Sequence, residues 1–275
     1  MSMDRRQFLK IAGISSILGF GVSSAASAQN VFGTLAPPQV EPNKDALTAK
    51  RWAMVVDMSK FKTEEDIKKV TSACHQTHNV PDFRNPDGTV DKKFEIKWIW
   101  ETSYERAFPN QANPFMNEHI KDMPFMVLCN HCDNPPCVRV CPTKATFKLT
   151  NGITMQDMHR CIGCRFCMAA CPSGSRSFNW VDPRKALKPE LENKAYPTRT
   201  KGVVEKCTFC SERLQAGKKP ACVEAAPEGA MFFGDIEDPN SEVRKIVTTQ
   251  LTIRRKPELG TGPAVYYLIG GSDHA

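Results

Sequence analysis

Cys161-Ile162-Gly163-Cys164-Arg165-Phe166-Cys167-Met168-Ala169-Ala170-Cys171-Pro172 is the stretch that decides the fold. Its spacing is C-x2-C-x2-C-x3-C-P. Three closely spaced sulfurs wrap three corners of one [4Fe–4S] cube, and the fourth, one short helical turn further on, points to a neighbouring cube. Proline after the fourth sulfur ends the loop and removes an N–H with no partner to meet. A second run lies upstream, with Cys129, Cys132, Cys137 and Cys141 spaced C-x2-C-x4-C-x3-C and followed by Pro142. Crossed ligation predicts two sites. One is Cys129, Cys132, Cys137 and Cys171. The other is Cys161, Cys164, Cys167 and Cys141.

The chain contains twelve cysteines, so four lie outside these runs. Cys207, Cys210 and Cys222 form C-x2-C-x11-C, and Cys74 stands alone. Read by itself, Cys207-x2-Cys210 suits tetrahedral zinc as well as iron. Disulfides are a further alternative for an exported protein. Two complete runs favour iron–sulfur chemistry, and four sulfurs are what one more cubane needs. Cys74, Cys207, Cys210 and Cys222 are therefore expected to form a third site.

The first residues read as an export signal. Arg5-Arg6 precede Phe8-Leu9, a weakly apolar Gly/Ser-rich stretch follows, and Ala26-Ser27-Ala28 offers cleavage after Ala28. A membrane anchor is the competing reading, but the stretch is short against the ~20 apolar residues a span needs. Export by the twin-arginine route, which moves folded proteins, places the mature chain on the periplasmic or extracytoplasmic face of the cytoplasmic membrane. The formal charge is +7. A basic chain suits nucleic acid or anionic lipid. Here three oxidised cubanes, each carrying a charge of about −2 with its thiolates, would offset most of it. No nucleic-acid partner is expected.

The fold expected is α+β, loop-rich and organised around Fe–S clusters. Residues 1–28 are the signal and 29–51 a linker. Residues 124–182 form a continuous bacterial-ferredoxin-like module holding two clusters. Residues 52–123 with 183–275 form a split one holding the third. Trp52 to Asp57 reads as a strand. Thr63 with Asp66 resembles a capping box opening a helix from about Glu64 to Gln76, whose apolar face is Ile67, Val70 and Cys74. Phe94, Ile96, Trp98 and Trp100 alternate with Glu95 and Lys97 as in a strand, with the tryptophans in sheet packing. Asp182 to Thr200, charged and proline-bearing, reads as a surface insertion. Ser241 caps a short helix with Val243, Ile246 and Val247 on one face, and Val265 to Ile269 is a last apolar segment.

Several stretches resemble a known family. They are Ala73-Cys74-His75, Cys129-Asn130-His131-Cys132-Asp133-Asn134-Pro135-Pro136-Cys137, the run from Cys161 to Pro172, Lys206-Cys207-Thr208-Phe209-Cys210, and Phe233-Gly234-Asp235-Ile236. They are similar to the four-cluster ferredoxin-like iron–sulfur subunits found beside molybdopterin oxidoreductases and in polysulfide-, nitrite- and sulfite-linked membrane complexes. In that family three more cysteines precede the one matching Cys74, and a fourth closes the last run. Here Phe61 and Ala226 stand at such positions. The resemblance thus implies that one ligand set is lost whole and that Cys74 belongs with Cys207, Cys210 and Cys222. It also implies a wire from the Cys141 site, beside an integral membrane quinone-interacting subunit, through the Cys129 site to the Cys74 site. Beyond that would lie a multihaem cytochrome c or another redox subunit. The combination looks most like the exported iron–sulfur subunits of sulfite-reductase-linked complexes. The electron-transfer subunit of a molybdopterin reductase or hydrogenase is the alternative.

The six histidines, His75, His78, His119, His131, His159 and His274, form no metal-binding pair with carboxylates in the sequence. His75 and His78 read as groups at the surface or beside the ligands. Arg165, inside a cluster loop, reads equally as a charge raising that cluster's potential or as a solvated arginine. No catalytic residue is predicted. The chemistry expected is one-electron hopping, without a substrate site of the chain's own.

Overall fold

The computed structural model describes residues 43–187 and 189–268. The expected signal, with Arg5, Arg6 and the Ala28 cleavage point, lies outside them, as does Ile269. In chain order the strands are β1 (Trp52–Asp57), β2 (Ile99–Ser103), β3 (Pro124–Leu128), β4 (Thr146–Lys148), β5 (Thr154–Gln156), β6 (Ser177–Phe178), β7 (Val204–Glu205), β8 (Met231–Asp235), β9 (Thr252–Ile253) and β10 (Val265–Leu268). The helices are α1 (Glu64–Thr77), α2 (Tyr104–Ala107), α3 (Glu118–Lys121), α4 (Pro136–Arg139), α5 (Phe166–Ala169), α6 (Ser211–Gln215), α7 (Ala221–Ala225) and α8 (Glu242–Thr249). Helices and short strands mixed with long loops make this an α+β fold. No helix among the described residues is long and apolar enough to cross a membrane.

β1 is apolar at successive positions because both of its faces are covered. It lies between β8, antiparallel, and β10, parallel, in a sheet ordered β8-β1-β10-β9. Trp52, Met54 and Val56 point into the main core with Ile67, Val70 and Cys74 of α1. Ala53 and Val55 point the other way, onto Val243 and Ile246 of α8. α1 begins with the expected capping box: Thr63 Oγ1 accepts from the Asp66 N–H, and Asp66 accepts from the Thr63 N–H at 3.0 Å. Such a cap is worth about 1 kcal/mol. α1 ends at Thr77, with Asn79 left-handed (φ 50°) two residues beyond. β2 pairs with β3, and β6 with β7, so ladders cross the expected module boundaries at 123/124 and 182/183.

Two local expectations are corrected. The strand begins at Ile99, not at Phe94. Five-residue β3 offers a ladder only to Ile99–Ser103. The alternation before it is met by side chains: the Lys97 N–H donates to Ser177 Oγ at 2.8 Å, and Trp98 Nε1 donates to Glu205 at 2.9 Å. Trp98 is consequently a stacking partner, with the His78 ring 4.5 Å from its own. The segment 182–200 is also more than a surface insertion. Asn79 Nδ2 donates to the carbonyls of Asn193 and Tyr196, Tyr196 sets its edge on His78, and buried Arg199 pairs with Glu205. Hydropathy misses this strap because polar bonds hold it.

Candidate metal centres

Each site grows from a C-x2-C loop whose third residue is left-handed: His131 (φ 40°), Gly163 (φ 71°) and Phe209 (φ 54°). That conformation is uncommon for non-glycine residues, and two in equivalent loops indicate a shared constraint. It curls the loop so that amides approach sulfur. The Phe209 N–H donates to Cys207 Sγ at 3.4 Å. Gly163 is obligatory, since a Cβ there would lie 2.4 Å from the Gly202 carbonyl oxygen. A second repeat follows each crossing sulfur. Cys141-Pro142-Thr143-Lys144 and Cys171-Pro172-Ser173-Gly174 both end left-handed, with φ of 55° and 63°. Ala226-Pro227-Glu228-Gly229 ends the same way, at 71°, with alanine in place of the sulfur.

The structure brings the twelve sulfurs together as three quartets. Cys129, Cys132, Cys137 and Cys171 line one cavity. Cys141, Cys161, Cys164 and Cys167 line a second. In the third quartet Cys74 from α1 meets Cys207, Cys210 and Cys222, and α1 packs against α7, which carries Cys222. All twelve are free thiols, grouped in fours rather than in pairs. Burial, and then the neighbouring sulfurs Cys210, Cys207 and Cys222, pushes the Cys74 thiol far up. The same causes push Cys132 up to about 12, through Cys129, Cys171 and Cys137. Burial works to raise the Cys141 thiol, yet hydrogen bonds from the Thr146 N–H at 3.4 Å and from Thr143 prevail and lower it. Four sulfurs converging in a dry pocket are unfavourable as free thiolates. A bound metal centre removes that penalty because it deprotonates and neutralises its ligands together. The donor set therefore fits thiolate-held clusters.

A profile for the 4Fe-4S dicluster domain matches residues 122–187 and 192–236. The chain is 40% identical to the Hdr-like menaquinol oxidoreductase iron-sulfur subunit 1 of Archaeoglobus fulgidus, over 98% of this chain and 99% of that one. It is 44% identical to a tetrathionate reductase subunit from Salmonella typhimurium, over 98% and 89%. It is 35% identical to the menaquinone reductase iron-sulfur cluster-binding subunit of Nitratidesulfovibrio vulgaris, over 79% and 88%. The chain belongs to the 4Fe-4S dicluster family of iron–sulfur subunits. These relatives are named as subunits of oxidoreductases, and [4Fe–4S] clusters and electron transfer are the family's common ground.

In this iron–sulfur subunit the quartets follow a spatial order. Cys137 of the first adjoins Cys167 of the second, and Cys129 of the first adjoins Cys207 of the third. The Cys129 quartet is thus central. Exposure is graded along the same line. All four sulfurs of the Cys74 site are buried, while Cys141, Cys161 and Cys164 are only half-buried. Phe61 and Ala226 pack against the main apolar core, so carbon occupies the positions that the resemblance gives to a further ligand set.

Several groups around the sulfurs were not legible beforehand. His78 is buried beside Cys74, the second of the two positions read for it, with Nδ1 3.8 Å from Cys74 Sγ. Its Nδ1 lies 2.8 Å from the Cys74 carbonyl and its Nε2 2.8 Å from Glu212. It groups with Cys210 and Glu212 within 4.8 Å, but both ring nitrogens are engaged by oxygen, which leaves neither for an ion. His75 stands half-buried in the wall of a groove of about 440 Å³ on the outer side of α1, and burial holds it down to about 4. His131 accepts from the Thr154 N–H and stacks on Phe209 at 3.6 Å, tying the central loop to the Cys207 loop. Arg165 is exposed, its guanidinium 4.6 Å from the Trp180 ring centre. Arg176 and Lys206 are instead buried, and neither pairs with a carboxylate among the described residues. An arginine among serines after a cysteine run was the signal available for Arg176.

Proposed function

We propose that this chain is an exported electron-transfer subunit holding three [4Fe–4S] clusters. In this reading it relays electrons between a quinone-interacting integral membrane subunit and another redox partner, such as a multihaem cytochrome c, in a sulfur- or sulfite-linked respiratory complex. The carrying observation is the meeting of all twelve sulfurs in three quartets, with none left over. When bound, the clusters supply one-electron exchange. The chain's own residues seat them, exclude water and order the path. The ligand sets are Cys129, Cys132, Cys137 and Cys171; Cys161, Cys164, Cys167 and Cys141; and Cys207, Cys210, Cys222 and Cys74. They divide between a continuous ferredoxin-like module and a split one.

The face around the Cys161 site supports docking at that end. Val140, Ile162 and Phe166 are exposed apolar side chains there, bordered by exposed Arg139, Lys144, Arg160 and Arg165. Scattered exposed apolar residues are ordinary, but three beside the least buried quartet suit a partner surface. The alternative, a subunit of a molybdopterin reductase, draws support from the likeness to a subunit of tetrathionate reductase. Carbon at Phe61 and Ala226 weighs against it. Metal and sulfide analysis of anaerobically purified protein tests the cofactors: about twelve irons per chain and no zinc are expected. Pull-down from native membranes tests the partners. Recovery of a haem cytochrome with an integral membrane subunit supports the reading, and recovery of a molybdenum subunit overturns it.

A further inference from the structure

Three arginines are buried among the described residues, and their partners differ. Arg199 pairs with Glu205. Arg255 donates to the carbonyls of Ala107 and Ser173. Arg176 donates through Nη1 to Thr146 Oγ1 at 3.2 Å and Gln156 Oε1 at 2.9 Å, and, as with Arg199 Nε and Arg255 Nη1, its Nη2 is buried with no hydrogen-bond partner.

The position of these groups gives that orphaned donor a meaning. Arg176 lines the cavity of the Cys129 quartet. Thr146 and Gln156, which hold it, line the cavity of the Cys161 quartet. The guanidinium therefore crosses the wall between the two sites. In the same wall Cys137 of one quartet and Cys167 of the other pack together with Val204. A buried cation without an anion is strongly disfavoured. Guanidinium stays charged at any pH the protein meets, and it is a fork of donors with no acceptor. Sulfur is the acceptor chemistry at hand, and Cys137 and Cys167 are ligand thiols on which the Arg176 charge acts, working against the upward push of burial.

We propose that Arg176 is a positioning residue that presents its unpartnered Nη2 to the sulfur of the clusters at the boundary of the Cys129 and Cys161 sites, raising the reduction potential of both while leaving the Cys74 site unmoved. This rests on the three-cluster reading above. Reduction adds one negative charge to a site, and a fixed positive charge with an N–H to sulfur favours that state. A shared cation draws the two neighbouring potentials upward together, so an electron crosses this junction without a deep well on either side.

The test is an EPR-monitored redox titration of the full chain with its clusters, in wild type and Arg176→Met. The Cys74→Ser background removes the third signal and assigns the remaining two. The expected result is a reduction equilibrium about tenfold less favourable at each of the two sites, which for one electron is a fall of about 59 mV. The Cys74 signal of the single variant should stay in place. Arg176→Lys, which keeps the charge and loses the fork, should fall by less than Arg176→Met. Arg165→Met, at an exposed charge, should shift less still. Unchanged potentials in Arg176→Met, or an equal shift at all three sites, overturn the proposal. If Arg176→Met loads too little iron, Arg176→Gln is titrated instead: a fall confined to the same two sites supports the proposal, and any other pattern overturns it. A wild-type iron count far from about twelve would instead refute the three-cluster reading itself.

Discussion

Cys74→Ser is the most informative perturbation of the ligand scheme, because Cys74 is the one ligand far in sequence from its mates. Its sulfur comes from α1, while the other three come from residues 207–222. Cys74, Cys207, Cys210 and Cys222 are all buried, so solvent is poorly placed to supply a substitute ligand. Loss of one corner should either empty the site or release the single iron that Cys74 holds. Iron then falls from about twelve per chain to between about eight and about eleven. The other two quartets share no ligand with this one, so their signals should persist. The central site adjoins Cys207, and losing a neighbouring cluster charge should move its potential upward. Iron and sulfide counts with integrated EPR spins after chemical reduction read all three outcomes. A full iron complement with unchanged spectra would falsify the assignment of Cys74, and so would loss of the Cys161 signal.

Glu205→Ala removes the carboxylate that receives Arg199, Trp98 Nε1 and Asn179 Nδ2, leaving a buried guanidinium unpaired. The expected cost is about 3–5 kcal/mol, read as a lower denaturant midpoint under anaerobic conditions, and a change under 1 kcal/mol would refute it. Thr63→Ala removes the side-chain half of the capping box and should cost about 1 kcal/mol while leaving the iron count unaltered. Ala226→Cys should bind no additional iron, since one restored sulfur lacks three mates, and a gain of about four irons would show a latent fourth site. Arg5-Arg6 changed to Lys-Lys should hold the protein inside the cell, as cell fractionation would report. Undiminished export of that variant would count against the twin-arginine reading.

Much of this molecule was legible because metal ligation imposes short-range spacing. The two complete runs announce four-sulfur sites through loop geometry alone. The capping box at Thr63, the α1 face of Ile67, Val70 and Cys74, and the bounds of β1 follow from local hydrogen bonding and periodicity. The strand expected from Phe94 failed for a physical reason. Alternation records which side chains are buried, and only a partner strand decides whether a ladder forms. The strap at 182–200 was misread because Asn79, Asn193 and Arg199 hold it by polar contacts that no apolar pattern marks.

The order of the sulfurs along the chain was thus enough to propose three quartets and their members, since a cube accepts four thiolates and loop spacing limits which can share it. What only the folded chain decided is how the quartets stand toward one another: the Cys129 set in the middle, the Cys74 set enclosed, the Cys161 set nearest the surface. It also decided that Arg176 is buried between two of the quartets while Arg165 is exposed. Burial and through-space charge depend on packing between distant segments, and that information has no fixed spacing in a sequence.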